Sequence, residues 1–299
     1  MKNLQGFYKD KNVLVTGGAG FIGSNICKEL VNLGANVTII DNFSTGNLYN
    51  LKNILSKINI ICGDITNSFS CNKITKNKDI IFHLAAFVSV ADSIKNPNLC
   101  YKINIGGTKN LLNACKKNKV SKFIFSSSAS VYGNRKDKCS EKDKPNPQSP
   151  YAKSKLEGEK LCKKYYKELG IQTACLRYFN VYGNNQNPDG EYAAVVAKFK
   201  YNLQNKIPIT IFGDGKQTRD FIHVSKVAYA NLKIAIEKNL SGQIINIATG
   251  KSINLLELIK DLEKEINIKN VGLTFEPQRP GDILNSSADC RKYQKLIKI

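Results

Sequence analysis

Tyr151 and Lys155, in the stretch SPYAKSK, stand four residues apart, and the run Ser126, Ser127, Ser128 precedes them by 23 residues or a little more. Residues four apart on a helix share one face. A phenol left alone gives up its proton only near about pH 10, but a neighbouring cation favours the phenolate. Such a tyrosine can act as a base near neutral pH, and a serine hydroxyl can hydrogen-bond the same substrate oxygen. The plainer reading is an amphipathic helix with an exposed lysine, and a Tyr and a Lys four apart do not decide the matter alone.

A second motif shifts the balance. The stretch from Lys11 to Thr16 reads as a short apolar strand, and Gly17, Gly20 and Gly23 of TGGAGFIG then open a helix through Leu30. Glycines so placed allow a tight turn, close approach of backbone to a pyrophosphate, and close packing of helix on strand. The helix start presents unpaired N–H groups and partial positive charge to phosphates. A further strand, Asn36 to Ile40, ends at Asp41, which lies 18 residues after Gly23. A carboxylate there accepts the adenosine ribose hydroxyls and repels a 2′-phosphate, so NAD is expected over NADP. The alternative for Asp41 is a turn residue that merely ends its strand. With the serine run, Tyr151 and Lys155, the reading is of a chain that moves a hydride and a proton at a carbon bearing a hydroxyl, the cationic nicotinamide adding to the pull on the phenol.

The chain resembles the extended short-chain dehydrogenase/reductases, and within them the UDP-sugar 4-epimerases. The likeness lies in TGGAGFIGS, DNFSTG, GDIT, HLAA, YKINIGGT, FSSSASVYG, SPYAKSK, RYFNVYG, NPDGEYAAVV, GDGKQTRDFIHV and RPGD, in that order, from residue 16 to 282. It implies Ser128, Tyr151 and Lys155 as the catalytic residues. For NAD it implies Gly17, Gly20, Phe21, Ile22 and Gly23, then Asp41, Asn42, Ser44, Thr45 and Gly46, then Asp64 and Ile65. Leu84, Ala85, Ala86, Asn104, Ser126 and Tyr178 complete the cofactor set beside Tyr151 and Lys155. For the sugar nucleotide it implies Ser89, Ser128, Tyr151, Asn180, Ala194, Val195, Arg219, Arg279, Asp282 and Ser286, with Arg219 and Arg279 gripping the UDP diphosphate. A homodimer is also implied, built on helices near 100–118 and 151–169. Leu111, Leu112, Cys115, Leu156, Leu161 and Tyr165 would be apolar positions beyond the needs of one core face.

The resemblance also bears on the reaction. Dehydratases of the group carry an Asp-Glu pair where this chain has Ala129 and Ser130, and decarboxylases a Glu where it has Ser130. Reversible oxidation at C4 through a 4-keto sugar remains, which is all that an epimerase needs. Glucose-restricted relatives place a bulky aromatic seven residues after the arginine of RPGD; Ser286 stands there, leaving room for an N-acetyl group. Interconversion of UDP-GlcNAc with UDP-GalNAc, and of UDP-Glc with UDP-Gal, is the expectation. A uronate epimerase, a keto-sugar reductase and a non-catalytic NAD-binding protein remain as alternatives.

Composition agrees. A chain of 299 residues, 42% hydrophobic, can bury a large core. A net charge of +21 ordinarily suggests nucleic acid or an anionic membrane. Yet only five of the 45 basic residues are arginine, and the lysines are scattered without a dense run or interleaved aromatics. Neither nucleic acid nor membrane is therefore expected as a partner. The scarce arginines carry more meaning, because a guanidinium fork matches phosphate geometry. Arg177 could equally serve a structural ion pair or a ligand. Nine cysteines are spread singly with no C-x-x-C, and His83 and His223 have no acidic or Cys cluster beside them, so no metal site is expected. The start, MKNLQGFYKDK, lacks an apolar targeting core and no stretch reaches membrane-spanning length, so a reducing cytoplasm is expected.

Strand-like runs at 12–16, 36–40, 58–62, 80–84, 121–126 and 172–177 alternate with helices near 22–33, 100–118 and 151–169. The alternation predicts an α/β fold, a Rossmann-like doubly wound parallel sheet with helices on both faces, and the loop-rich texture after Asn180 resembles the family's smaller C-terminal substrate-binding lobe. Residues 1–180 and about 220–248, with a helix at 225–237 and a strand at 243–248, form the NAD-binding domain in this division. About 181–219 and 249–299 form the lobe. The stretch 134–147 reads as a surface loop, and the end, DCRKYQKLIKI, as a helix that relatives usually follow with a further helix and tail. Apolar surface near the lobe is therefore expected to be exposed.

Overall fold

The computed structural model describes residues 2–135, 137–187, 195–268, 272–278 and 285–297. Six strands come first: β1 (Asn12–Thr16), β2 (Asn36–Asp41), β3 (Ile58–Cys62), β4 (Ile80–His83), β5 (Lys122–Ser128) and β6 (Gln172–Tyr178). Next come β7 (Asn180–Tyr182), β8 (Ile209–Phe212), β9 (Thr218–Arg219), β10 (Phe221–His223) and β11 (Gln243–Ile247), then β12 (Ile253–Asn254), β13 (Leu273–Glu276) and β14 (Asn285–Ser286). The main sheet has seven strands in the order β11-β6-β5-β4-β1-β2-β3, every neighbouring pair parallel. Strand order reverses between β1 and β4, the place where such sheets open a crevice for ligands at their carboxyl ends.

Helices cover both faces, which explains the near-continuous apolar runs of the central strands. They are α1 (Lys2–Tyr8), α2 (Phe21–Asn32), α3 (Ser68–Ile74), α4 (Val90–Lys95), α5 (Pro97–Tyr101), α6 (Thr108–Asn118), α7 (Pro150–Leu169), α8 (Val195–Gln204), α9 (Val224–Ala235), α10 (Leu255–Ile266) and α11 (Arg291–Ile297). Along β1, Val13 and Val15 face a core shared with α1, α2, α9 and α11, while Leu14 faces the core of α3, α6 and α7. A smaller third core joins α8 and α10 to Ile209 and Ile211 of β8. The short strands make three further sheets: β10 with β7, β12-β9-β14, and β13 with β8.

Several sequence expectations need correction. The strand expected at 121–126 runs on through Ser128 as β5, in register with β6 so that Ser127 pairs Arg177 and Ser128 pairs Tyr178. The helix expected near 100–118 is α5 and α6 joined by a π-helical turn, Lys102–Gly107. At the start of α6, Thr108 donates back into that turn, to the carbonyl of Asn104 at 2.5 Å. Helix α1 was not foreseen; Leu4 and Tyr8 are buried, and the Tyr8 hydroxyl donates to the carbonyl of Leu232 at 2.9 Å.

The final helix departs from the expected division of the chain. Tyr293 and Ile297, one turn apart, pack into the main core with α9, and Lys292 donates to the carbonyl of Ile244 on β11. Four of the apolar positions expected on a dimer face belong to the core instead. Leu111, Leu112 and Cys115 are fully buried within the chain, and Tyr165 is nearly so, because α6 and α7 need them against the sheet.

Candidate active site

The catalytic candidates meet at the carboxyl end of β5. Ser128 is the last residue of that strand, and its hydroxyl oxygen caps a 3-10 turn, Ala129–Tyr132, by accepting from the Ser130 N–H at 3.2 Å. Helix α7 starts at Pro150, pre-set for a first helical position. Its cap is Ser149, whose oxygen accepts from the Ala152 N–H at 3.1 Å. Tyr151 is held by its backbone: its N–H donates to Ser93 Oγ at 3.2 Å, and its carbonyl accepts from Ser154 at 2.7 Å. Helix and strand lie in close contact, for a Cβ added to Gly158 would fall 2.3 Å from the ring of Phe125.

Lys155 is buried and its Nζ donates to the carbonyl of Ser126 at 2.8 Å, 5.8 Å from the centre of the Tyr151 ring. Burial brings its pKa down to about 8. The expectation that this ammonium depresses the Tyr151 phenol is not met. Burial pushes that phenol up, and the hydrogen bond with Ser128 only partly offsets the rise. Lys155 is turned to the Ser126 carbonyl, so a lowered phenol would need a further positive charge beside it.

Behind these residues lies a chain of hydrogen bonds whose directions are fixed. Thr16 Oγ1 accepts from the N–H groups of Leu84 and Ala85, each at 3.1 Å, so its own proton goes to His83 Nδ1 at 2.8 Å. His83 Nε2 then donates to Thr108 Oγ1 at 2.9 Å. Burial and the nearby Lys155 bring the His83 pKa down to about 3, so the ring is neutral. Asn104, in the π-helical turn, donates to Ser154 Oγ at 2.8 Å and to the Phe87 carbonyl, and accepts from the Phe87 N–H at 2.7 Å. Both histidines thus act in support, with His223 capping α9.

The cofactor candidates line the reversal of strand order. Gly17 has φ +67°, and a Cβ there would stand 2.7 Å from the Ala85 N. Gly20 caps α2 without a side chain, leaving the N–H groups of Phe21 and Ile22 at the open helix start. Gly23 is buried behind the turn. Asp41 ends β2, its carboxylate accepting from the N–H groups of Ala19 and Phe43, both at 2.9 Å, and Gly46 lies against it. Exposed Asn42, Ser44 and Thr45 follow, with Asn42 accepting from the Ser44 N–H. Asp64 accepts from the Thr66 N–H at 2.7 Å, and Ile65 packs on Gly107 of the π turn. Leu84, Ala85 and Ala86 follow β4 and are half-buried. The Ser126 hydroxyl donates to Tyr178 Oη at 3.0 Å, which donates to Asn231 Oδ1 at 2.8 Å, so both hydroxyls are engaged within the protein. A bare glycine turn, an uncapped helix and an acceptor-only carboxylate fit a dinucleotide whose ribose keeps its hydroxyls.

Polar candidates for a second ligand approach from the short strands. Asn180 donates to the Asp220 carbonyl at 3.1 Å and to Ser286 Oγ at 3.3 Å. Ser286 on β14 pairs in register with Arg219 on β9, and Arg219 donates to the Thr218 carbonyl at 2.9 Å. Ser89 caps α4 and Val195 begins α8. Ala194, Arg279 and Asp282 lie outside the described residues. Sequence reasoning missed Asp220, whose buried carboxylate accepts from the N–H groups of Thr249 and Gly250, both at 2.8 Å, and ties β9 to the end of β11. It left Arg177 open; that guanidinium forms a buried, two-bond pair with Glu159 of α7 at 2.8 and 2.6 Å. Among the described residues no group of three or more His, Cys, Asp or Glu could hold a metal, and no helix is long and apolar enough to cross a membrane.

Comparison with known proteins agrees with this geometry. The profile of the NAD dependent epimerase/dehydratase family matches residues 13–248. A UDP-N-acetylglucosamine 4-epimerase from Methanobrevibacter ruminantium M1, solved in complex with UDP-N-acetylmuramic acid, is 40% identical with a TM-score of 0.92, covering 96% of this chain and 92% of that one. A UDP-glucose 4-epimerase from Thermotoga maritima, solved with UDP-glucose, is 37% identical with a TM-score of 0.89, covering 95% and 91%. A UDP-N-acetyl-alpha-D-glucosaminuronate decarboxylase from Bacillus cytotoxicus is 34% identical over 299 residues, 96% of this chain and 92% of that protein.

Proposed function

The chain belongs to the NAD dependent epimerase/dehydratase family, an epimerase-type isomerase within it, and we propose that it inverts C4 of UDP-N-acetylhexosamines and of the plain UDP-hexoses. The observation that carries the reading is the meeting of Ser128, Tyr151 and Lys155 beside the glycine turn, with no carboxylate at positions 129 or 130. Elimination of water and loss of CO₂ each call for an added acid or base there, which Ala129 and Ser130 do not supply.

Gly17, Gly20, Phe21, Ile22 and Gly23 hold the cofactor's phosphates in this reading, and Asp41 its ribose. Bound NAD supplies the two-electron oxidation and reduction at C4, and its positive ring the charge that Tyr151 needs. Tyr151 takes the proton of the C4 hydroxyl and returns it to the C4 oxygen after the 4-keto sugar has turned over. Ser128 keeps that oxygen in place, and Lys155 holds the ribose near the nicotinamide. Arg219 and Arg279 anchor the UDP throughout, with Asp282, Ser89, Ala194 and Val195 beside the nucleotide and sugar. The acetylated sugars follow from Ser286, a small side chain that reaches Asn180 within hydrogen-bond distance.

The protein acts as a homodimer in this reading, through the α4, α5 and α7 side, where Ile94 and Leu99 are exposed and Tyr101, Ile105 and Leu156 line a shallow groove. Nine unpaired cysteines suit a reducing cytoplasm. The test is turnover of purified protein with UDP-GlcNAc, UDP-Gal and UDP-glucuronate in turn. Appearance of UDP-GalNAc without net NADH is expected; turnover of the uronate alone, or NADH consumed in proportion to product, would move the chain to another reaction.

A further inference from the structure

Resting on the reading that Ser128, Tyr151 and Lys155 carry the proton chemistry, we infer that the buried Glu159–Arg177 pair is a positioning device that sets Ser128 against Tyr151. Glu159 lies eight residues beyond Tyr151 and four beyond Lys155, so all three share one face of α7. Its carboxylate reaches both neighbouring strands of the sheet. Oε1 accepts from Ser127 Oγ at 2.5 Å and from Arg177 Nε at 2.8 Å, and Oε2 accepts from Arg177 Nη2 at 2.6 Å. Ser127 and Arg177 face each other in register on β5 and β6, each immediately before the residue expected to meet a ligand, Ser128 or Tyr178. One carboxylate therefore ties the helix bearing Tyr151 to the strand bearing Ser128.

Arg177 also holds the far side of Ser128. Its guanidinium carbon lies 4.5 Å from the centre of the Tyr132 ring, and its remaining nitrogen, Nη1, is buried with no hydrogen-bond partner among the described residues. Tyr132 closes the 3-10 turn that Ser128 opens, and its hydroxyl is pinned to Asn246 Oδ1 at 2.6 Å. Ser128 is thus bracketed by Ser127 on Glu159 before it and by Tyr132 on Arg177 after it. A buried ion pair is a poor source of stability, since well-packed apolar side chains often do as well or better. What it gives instead is direction: a planar fork on a carboxylate fixes angles as well as distance, whereas apolar contacts slide. Misplacement of a reacting group by about 1 Å can cost about a hundredfold in rate.

Ser127→Ala tests the role with both charges left in place, and Tyr132→Leu tests the other bracket. In the purified holoenzyme, with the UDP-hexose that the wild type turns over, each variant is expected to lose about tenfold in kcat, a fraction of the full misplacement cost. KM and bound NAD should stay close to wild type in both. The melting temperature should stay close to wild type in Ser127→Ala and fall in Tyr132→Leu, which empties a buried ring and frees Asn246, so the two variants share the kcat loss and not the stability loss. In a Tyr151→Phe background, Ser127→Ala should cost nothing further, because no phenol remains to be positioned. A merely structural pair would instead lower the melting temperature and leave kcat of the folded protein unchanged. Full kcat in Ser127→Ala and Tyr132→Leu beside an inactive Tyr151→Phe would overturn the positioning role and leave the catalytic reading standing. An active Tyr151→Phe would overturn both.

Discussion

A phenol in this site is a poor base by itself. Burial raises the pKa of Tyr151, and Lys155, fastened to the Ser126 carbonyl, is itself brought down to about 8. Replacing Tyr151 by Phe removes only the hydroxyl, so fold and NAD content should hold while turnover falls about 10²–10⁴-fold, the usual worth of general acid–base help. Near wild-type rates would take the role from Tyr151. Lys155 makes a prediction of another kind. Its ordinary pKa is 10.5, so between about pH 8 and 10.5 the unfolded chain holds the proton that the folded chain has released. Stability then rises with pH through that window, and below it the buried charge carries its full penalty, roughly 3 kcal/mol. In cofactor-free protein, Lys155→Met should be most favoured over wild type at pH 7, and the difference should narrow toward pH 10.5. A difference that ignores pH, in denaturant titrations across that range, would show that the amine is not depressed. Spacing made the pair Tyr151 and Lys155 legible, because chemistry shared across one helical turn leaves a mark in sequence, whereas Ser128 on β5 stood out only through the serine run and the family resemblance. The direction of the Tyr151 shift was not legible, because it depends on where the Lys155 amine is tied.

Among the elements, the strands were the easiest to read. β1, β2 and β4 are short apolar runs because helices bury both faces of the sheet. The π-helical turn at Lys102–Gly107 was not readable, since what defines it is tertiary: Asn104 bonded to Phe87 and Ser154. The ion pair of Glu159 was hidden for a similar reason, its partner lying on a strand 18 residues away. The join between β2 and α2 carries its own prediction. Asp41 is bonded to two backbone N–H groups, and in the proposed reading its remaining lone pairs take the ribose hydroxyls, where a 2′-phosphate would meet a carboxylate. NAD should bind the protein more tightly than NADP in calorimetry, and equal affinities would take the ribose role from Asp41.

At the scale of the molecule, the sheet offers its carboxyl ends to a ligand while the short strands bring Asn180, Arg219 and Ser286 together from distant parts of the chain. That assembly is why these residues were legible only as separate motifs: its pairings span from 34 residues, between Arg219 and Ile253, to 106, between Asn180 and Ser286. Ser286→Tyr should close the space for an N-acetyl group, abolishing exchange of UDP-GlcNAc while sparing UDP-Gal. Loss of both activities together, or of neither, would place the selectivity elsewhere. The central claim is oxidation and reduction at C4 with the cofactor restored at each turnover. Its most direct test is to incubate the purified protein with UDP-GlcNAc deuterated at C4 and follow the sugar by NMR. UDP-GalNAc that keeps its deuterium at C4, with no net NADH, is expected; washout of the label to solvent, or a product that has lost water or CO₂, would contradict oxidation and reduction at that carbon.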